Sequence, residues 1–156
     1  MGAAEVTIGS EDPNSEECLL LLENLTAELS ALYDDDGGGN SFKPSDASGE
    51  RAIFLVARIA GEPVGCGAIR SFERNTAELK RLYVVPHARA FGIGRRLLVE
   101  LETAAGNLGY TRVRLETGLK QPEAIGLYES SGYDRVPCHG EYANNPLSVC
   151  FEKDLG

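Results

Sequence analysis

The sequence predicts an α/β (α+β) fold: a mixed, mostly antiparallel sheet with one parallel strand-helix-strand crossover and flanking helices. A strand pattern at Ala77 to Val85, a helical pattern at Ile93 to Leu108 and an alternating pattern at Arg112 to Glu116 follow one another. That order implies a right-handed parallel crossover. The apolar runs Ala52 to Ile59 and Val64 to Phe72 flank a short Gly-containing turn, which is typical of a β-hairpin. The hairpin makes the sheet mixed.

A long helix is predicted from about Ser15 to Tyr33. N-cap and first-turn proline signals precede it at Asp12 and Pro13. Its leucines recur at three- and four-residue steps, so we expect one apolar face that packs on the sheet. These leucines are Leu19, Leu22, Leu25, Leu29 and Leu32.

The segment 34–50 opens with aspartates and glycines and stays polar, which is typical of a mobile loop. The roughly 30 residues before it are too few for an independent domain. We therefore interpret residues 1–156 as one domain. Shorter patterns predict the remaining elements: strands at Val6 to Ile8, Tyr133 to Val136 and Ser148 to Lys153, and a helix at Glu123 to Ser131.

The charge balance of the 156-residue chain restricts its partners. With 15 Lys and Arg against 24 Asp and Glu, the formal net charge is -9. Such a chain repels phosphate backbones and anionic bilayers, so we expect neither nucleic acid nor membrane as a partner. The first five residues show no basic, apolar leader pattern, and we expect a cytoplasmic location.

The cysteines and histidines give little support to a metal site. No CxxC spacing is present, and no pair of histidines has ligand spacing. We expect free thiols and no bound metal. The residues concerned are Cys18, Cys66, Cys138, Cys150, His87 and His139.

The segment that links the predicted strand Ala77 to Val85 with the residue-93 helix has phosphate-binding character. Glycines let backbone N–H groups approach an anion, the helix N-terminus adds its positive end, and arginines add charge. A plain strand-to-helix turn is an equally good reading of the spacing. A dinucleotide fingerprint would need glycine at Leu97, and a Walker A ending is absent. The segment reads Arg89, Ala90, Phe91, Gly92, Ile93, Gly94, Arg95, Arg96.

Two motifs in order resemble those of the GNAT superfamily of acyl-CoA-dependent N-acyltransferases. Arg89, Gly92 and Gly94 match the signature Arg/Gln-x-x-Gly-x-Gly/Ala. The run from Gln121 to Tyr133 looks like the second motif, Asn-x-x-Ala-x-x-Leu-Tyr-x-x-x-Gly-Phe/Tyr. It departs at Gln121, where most members have Asn, which puts one side-chain contact to the cofactor in doubt. The match covers nearly the whole chain and is weakest before residue 50 and in 138–147.

The resemblance implies acetyl-CoA as co-substrate and assigns its binding residues. Backbone groups of Leu82, Tyr83 and Val84 would pair with the pantetheine arm like another strand. Main-chain N–H groups from Arg89 to Arg95 would hold the pyrophosphate. The side chains of Arg89, Arg95 and Arg96 could instead be ordinary solvated arginines.

Amine acetylation needs a base and benefits from an acid. Glu78, at a position that some family members use for a catalytic glutamate, is the first candidate base, and alternation places it on one face with Lys80, Leu82 and Val84. An exposed strand glutamate paired with Lys80 or Arg114 is the alternative.

Glu116 is the reserve candidate for the base. Tyr128, at the tyrosine of the second motif, is the candidate acid and also a cofactor contact; a core tyrosine is its alternative. Cys66 fits core packing better than an acyl-accepting role.

These observations favour an N-acetyltransferase working by direct attack on acetyl-CoA. A non-catalytic CoA-binding sensor or partner module is the alternative, and the acyl length accepted stays open. The acceptor would be a small-molecule or peptidic amine, selected by Tyr33, residues 34–36 and the loop 138–146. A homodimer stays open.

Overall fold

The computed structural model describes residues 5–39 and 41–156. The first four residues, which belong to the stretch scanned for a leader, and Asn40, within the predicted loop, lie outside this range. Within it the chain forms β1 (Val6–Ser10), α1 (Glu16–Tyr33), β2 (Ile53–Ile59), β3 (Glu62–Glu73), β4 (Thr76–Val84), α2 (Ile93–Asn107), β5 (Arg112–Gly118), α3 (Pro122–Ser130), β6 (Asp134–Val136) and β7 (Ser148–Asp154).

The described strands form one sheet in the order β1-β2-β3-β4-β5-β7-β6. Strands β4 and β5 pair in parallel, while the other neighbouring pairs are antiparallel. Helix α2 joins the parallel pair. The predicted mixed sheet with a strand-helix-strand crossover is therefore confirmed, and the predicted elements differ from the observed ones by only a few residues at their ends.

The helices cover opposite faces of the sheet. A Cβ on Gly67 of β3 would lie 2.6 Å from Cδ1 of Leu101, so this face of β3 packs against α2. The neighbouring Cys66 points the other way, toward α1. Helix α3 shares the α2 face, where Tyr128 packs against Phe151 of β7. No helix in the described part of the chain is long and apolar enough to cross a bilayer.

The buried face of α1 differs from the predicted leucine stripe. Ser15 caps the helix by accepting from the backbone N–H of Cys18. Leu22 and Leu25 are buried as expected, but Leu19 and Leu32 are 37% and 39% exposed. The five leucines are on average about 3.25 residues apart, which is less than the 3.6 residues of one helical turn. Each leucine is therefore rotated around the helix axis relative to the one before it, and the first and last leucines no longer face the sheet. Cys18 and Leu21 complete the buried face instead.

A bulge in β4 corrects the predicted side-chain alternation. Tyr83 pairs with Cys66 and Lys80 pairs with Ala68, so two residues of β4 oppose Gly67 alone. The bulge is at Arg81, whose φ of 59° is left-handed. Glu78 and Lys80 therefore lie on the α1 face, whereas Leu82 and Val84 point to the α2 face. The expectation that all four share one face is wrong because it assumed an unbroken period of two.

The predicted loop 34–50 packs part of its length against the body of the protein. It contains a short 3-10 helix at Pro44–Ala47, and both Phe42 and Ala47 are buried. Asp46 forms an ion pair with Arg70 of β3 at 2.7 Å. The mobility of the segment stays a prediction.

The expectation of four free thiols is wrong for two of them. Cys138 and Cys150 form a disulfide with a Cα–Cα distance of 5.3 Å. Cys150 lies opposite Val136 in the β6–β7 pair, which brings the residue two positions after Val136 close to it. Strand register creates this proximity, and sequence spacing does not reveal it. Cys18 and Cys66 are free and buried, as expected.

Reducing this disulfide is expected to lower the free energy of unfolding by about 3 kcal/mol, because the bridge restricts the unfolded chain. Urea unfolding with and without dithiothreitol measures the change. In the Cys138→Ser variant the reductant should have no further effect. Alkylation of all four cysteines in denatured, unreduced protein would contradict the bridge.

Candidate functional site

A cleft opens where β4 and β5 separate. The two strands pair from Thr76 with Arg112 to Leu79 with Leu115 and no further, although both continue toward their C-termini. The bulge at Arg81 follows directly. The resulting cleft has a volume of about 350 Å³, within the range of small-molecule sites. It is bordered by α1, α3, residues 35–38 and 41, and the segment 141–148.

The separation leaves the β5-facing edge of β4 without a partner strand. Leu82 lines the cleft there. Nε of Arg89 donates to the carbonyl oxygen of Val84 at 2.8 Å and closes the outer end of the edge. Unpaired backbone groups of this kind can accept an extended ligand as an additional strand. The edge comprises the residues assigned to pantetheine by resemblance, Leu82, Tyr83 and Val84.

The start of α2 leaves backbone N–H groups open to an anion. Gly92 is the N-cap, with φ 80° and no side-chain cap, and the first turn carries no acidic residue. The first helical N–H groups have no partner within a helix. Ala90 also has a positive φ, 69°, so the turn before the helix is tightly wound. This geometry suits a phosphate group.

The arginines of this turn are held by the protein. Arg89 forms an ion pair with Glu28 of α1 at 2.8 Å. Arg95 donates to the hydroxyl oxygens of Ser130 and Ser131 at the end of α3. Phe91 lies at the surface, 78% exposed. The main chain, rather than these two guanidinium groups, is therefore the part of the turn available to an anion.

Tyr128 brings its hydroxyl to the cleft from a buried position. Its side chain is 5% exposed and packs edge-on against Tyr133 and obliquely against Phe151. Burial, together with the nearby Glu116 carboxylate, raises the pKa of the Tyr128 phenol. The hydroxyl makes no hydrogen bond to any other described residue. It stays protonated at neutral pH and is free to donate.

The two candidate carboxylates have different positions. Glu78 accepts from Nε of Arg70 at 2.8 Å and does not line the cleft. Glu116 lines the cleft, where the hydroxyl of Ser148 donates to it at 2.8 Å. Burial raises the pKa of Glu116, although Ser148 and Lys80 oppose the shift. Of the two candidate bases, Glu116 is therefore the one that lines the cleft.

Lys80, Arg81 and Tyr142 form a polar group in the cleft that no motif indicated. Nζ of Lys80 donates to the hydroxyl oxygen of Tyr142 at 2.9 Å. Nη2 of Arg81 donates to the carbonyl oxygen of Gly37 at 3.0 Å. Burial lowers the pKa of both cations. The only available signal in the sequence was a pair of adjacent cations at the end of a strand that precedes the glycine turn.

The remaining predicted residues have clear positions. Gln121 lines the cleft, and its Oε1 accepts from the hydroxyl of Tyr33 at 3.0 Å. Tyr33 and Tyr142 place both predicted acceptor segments at the cleft. Cys66 is fully buried, and burial raises the pKa of its thiol to about 12, which favours core packing over a nucleophilic role.

Comparison with known proteins identifies the family. Residues 20–133 match the model of the Acetyltransferase (GNAT) family. An IAA acetyltransferase of Azospirillum brasilense is 40% identical over 153 residues, 96% of this chain and 98% of that protein. A crystal structure from Klebsiella pneumoniae, described as an acyl-CoA N-acyltransferase, has a TM-score of 0.82 and 35% identity and covers 99% of this chain and 100% of its own.

A second solved structure supports the fold. PaiA N-acetyltransferase from Thermoplasma acidophilum, in complex with coenzyme A, has a TM-score of 0.73 at 20% identity, covering 96% of this chain and 99% of that chain. The family match spans well over half of the sequence and contains both motifs. This chain therefore belongs to the GNAT acetyltransferase family and is an acyltransferase.

Proposed function

We propose that the chain is an N-acetyltransferase that moves the acetyl group of acetyl-CoA to a primary amine by direct attack in a ternary complex. The observation that carries this proposal is a cleft that combines an unpaired strand edge, a carboxylate and a buried tyrosine hydroxyl, with the uncapped N-terminus of α2 beside Val84 at the outer end of that edge. Membership of the acetyltransferase family supports it.

Acetyl-CoA is the co-substrate, and it supplies an activated thioester. The edge at Leu82, Tyr83 and Val84 would bind its extended arm through the backbone groups left free, which exclude the Val84 carbonyl that accepts from Arg89. The open amides between Gly92 and Arg95 would bind its diphosphate. Gln121 would contribute through its amide group at the mouth of the cleft. Since Arg89 and Arg95 already bond to protein groups, their side chains stabilise the turn more than they contact the ligand.

Glu116 is the better placed base. An amine attacks only with its nitrogen lone pair free, so a proton must leave the ammonium group. A carboxylate with a raised pKa in the cleft accepts that proton more readily than an exposed one. Glu78 remains a hypothesis as direct base, and its ion pair with Arg70 suits a supporting electrostatic role.

Tyr128 is the proposed acid. The amine nitrogen bonds to the acetyl carbon as the carbon–sulfur bond breaks, and the Tyr128 hydroxyl gives its proton to the departing sulfur. The amine loses two protons in all. One goes to Glu116 and the other restores the Tyr128 hydroxyl, so protons and bonds balance.

The acceptor would reach the cleft from the side of Tyr33 and Tyr142, beside residues 35–38 and 41 and the segment 141–148. A small amine or a peptidic amine fits this opening. A homodimer and a cytoplasmic location stay predictions.

Free thiol release tests the proposal. Acetyl-CoA is supplied with a panel of small and peptidic amines, and free CoA is followed with a thiol reagent. We expect at least one amine to release CoA faster than the hydrolysis of acetyl-CoA by water in the absence of an amine. CoA binding without turnover across the panel would identify a non-catalytic module instead.

A further inference from the structure

Two adjacent cations of the cleft, Lys80 and Arg81, form no direct ion pair with a described residue, although Glu116 and Glu141 lie near Lys80 and Asp36 lies near Arg81. The chain is acidic, and most of its other partly buried arginines and lysines pair with carboxylates. Lys80 donates to a tyrosine hydroxyl and Arg81 to a backbone carbonyl. Positive charge in a partly buried site without a directly hydrogen-bonded counter-ion is costly, and a bound carboxylate in contact with these groups would offset that cost.

Arg81 has a further unsatisfied group. Its Nη1 is the one buried side-chain nitrogen or oxygen in residues 5–39 and 41–156 that has no hydrogen-bond partner. Buried polar atoms of this kind are rare, and each calls for an explanation such as a bound ion or ligand. A guanidinium group with a free nitrogen offers a geometry that matches a carboxylate.

The backbone is strained at the residue that brings the cations together. Successive residues of a regular strand point to opposite faces, so Lys80 and Arg81 could not share one side of β4 without the bulge. Arg81 adopts a left-handed φ of 59°, which costs a non-glycine residue free energy. As a result both side chains line the same cleft. Strain of this kind concentrates where a site needs a particular side-chain direction.

From these observations, and resting on the proposed acetyl transfer, we infer that the acceptor is an amine bearing a carboxylate, the class of amino acids, and that Arg81 and Lys80 bind this carboxylate. Glu116 lines the same cleft and would face the ammonium end. The two ends of one zwitterion then meet groups of opposite charge. This assignment differs from a purely cationic acceptor, which the overall acidity of the chain would favour.

The test compares amino acids with their carboxamides as acceptors, with kcat/KM referred to the concentration of unprotonated amine. The protein should prefer the acids by about 100-fold, as charge-assisted pairing in a partly buried site allows. Arg81→Gln should reduce this preference to within about 3-fold. A merely structural role of Arg81 would lower both activities and leave their ratio intact. Arg112→Gln removes the same charge from the far end of β5 and should leave the ratio unchanged.

Equal use of acids and carboxamides by the unaltered protein, or an unchanged ratio in Arg81→Gln, would overturn the inference while leaving acetyl transfer intact. No CoA release with any amine would instead refute the proposed function. In that case binding still decides: N-acetylated amino acids should bind the CoA-loaded protein more tightly than N-acetylated carboxamides in ligand-observed NMR. Equal binding of the two would overturn the inference.

Discussion

Replacing Tyr128 by Phe is expected to lower kcat by at least about 100-fold, the range that a positioned proton donor contributes. The KM for acetyl-CoA should change by less than about 3-fold, because the ring and its packing against Phe151 remain. Steady-state CoA release over a range of both substrates measures these constants.

Tyr133→Phe is the matched control. Tyr133 is also buried and touches Tyr128 edge-on, but its hydroxyl donates to Glu102 and does not reach the cleft. Its loss should affect stability and leave kcat nearly unchanged. A similar fall in kcat for both variants would mean that Tyr128 acts through packing rather than through its proton.

Replacing Glu116 by Gln is expected to lower kcat/KM for the amine by about 100-fold to 10000-fold, since the amide cannot take up a proton. The dependence of activity on pH tests the same role of Glu116. A base acts when deprotonated, so activity should rise with pH through the raised pKa of Glu116, above the ordinary carboxyl value of 4.5. This rise of activity with pH, the acid limb of the pH profile, should disappear from the residual activity of Glu116→Gln.

Glu78→Gln separates the two candidate bases. This variant removes a carboxylate held by Arg70 outside the cleft, so we expect a smaller loss of activity and an unchanged acid limb. Loss of the limb in Glu78→Gln, with its retention in Glu116→Gln, would make Glu78 the base.

Most of the fold could be predicted from local patterns. Apolar periodicity located α2, where Ile93, Leu97 and Leu101 are buried as expected. The hairpin was indicated by its turn, and the crossover by the order of the elements. Patterns of this kind depend on nearby residues alone, which is why they can be recognised in a single sequence.

Features that depend on distant residues were missed. The bulge at Arg81 is defined by register against β3, and the Cys138–Cys150 bridge by the pairing of β6 with β7. Both involve partners that local periodicity cannot identify. The leucine pattern of α1 was correct in type, but small departures from helical period moved its ends off the sheet.

The parts of the candidate site that belong to the two sequence motifs could be predicted. The glycine turn and Tyr128 follow from motif residues. The ranking of Glu116 against Glu78 depends on where β4 and β5 separate, which is a tertiary feature. Lys80 and Arg81 belong to the cleft because of the bulge, and no motif includes them.

A crystal structure of the protein with coenzyme A tests the central claim most directly. We expect diphosphate oxygens about 2.7–3.2 Å from the main-chain nitrogens between Gly92 and Arg95. We also expect the pantetheine arm to lie along the free edge of β4, with its sulfur within reach of the Tyr128 hydroxyl. Coenzyme A bound away from this turn, or held there only by side chains, would contradict binding of the diphosphate by the main chain.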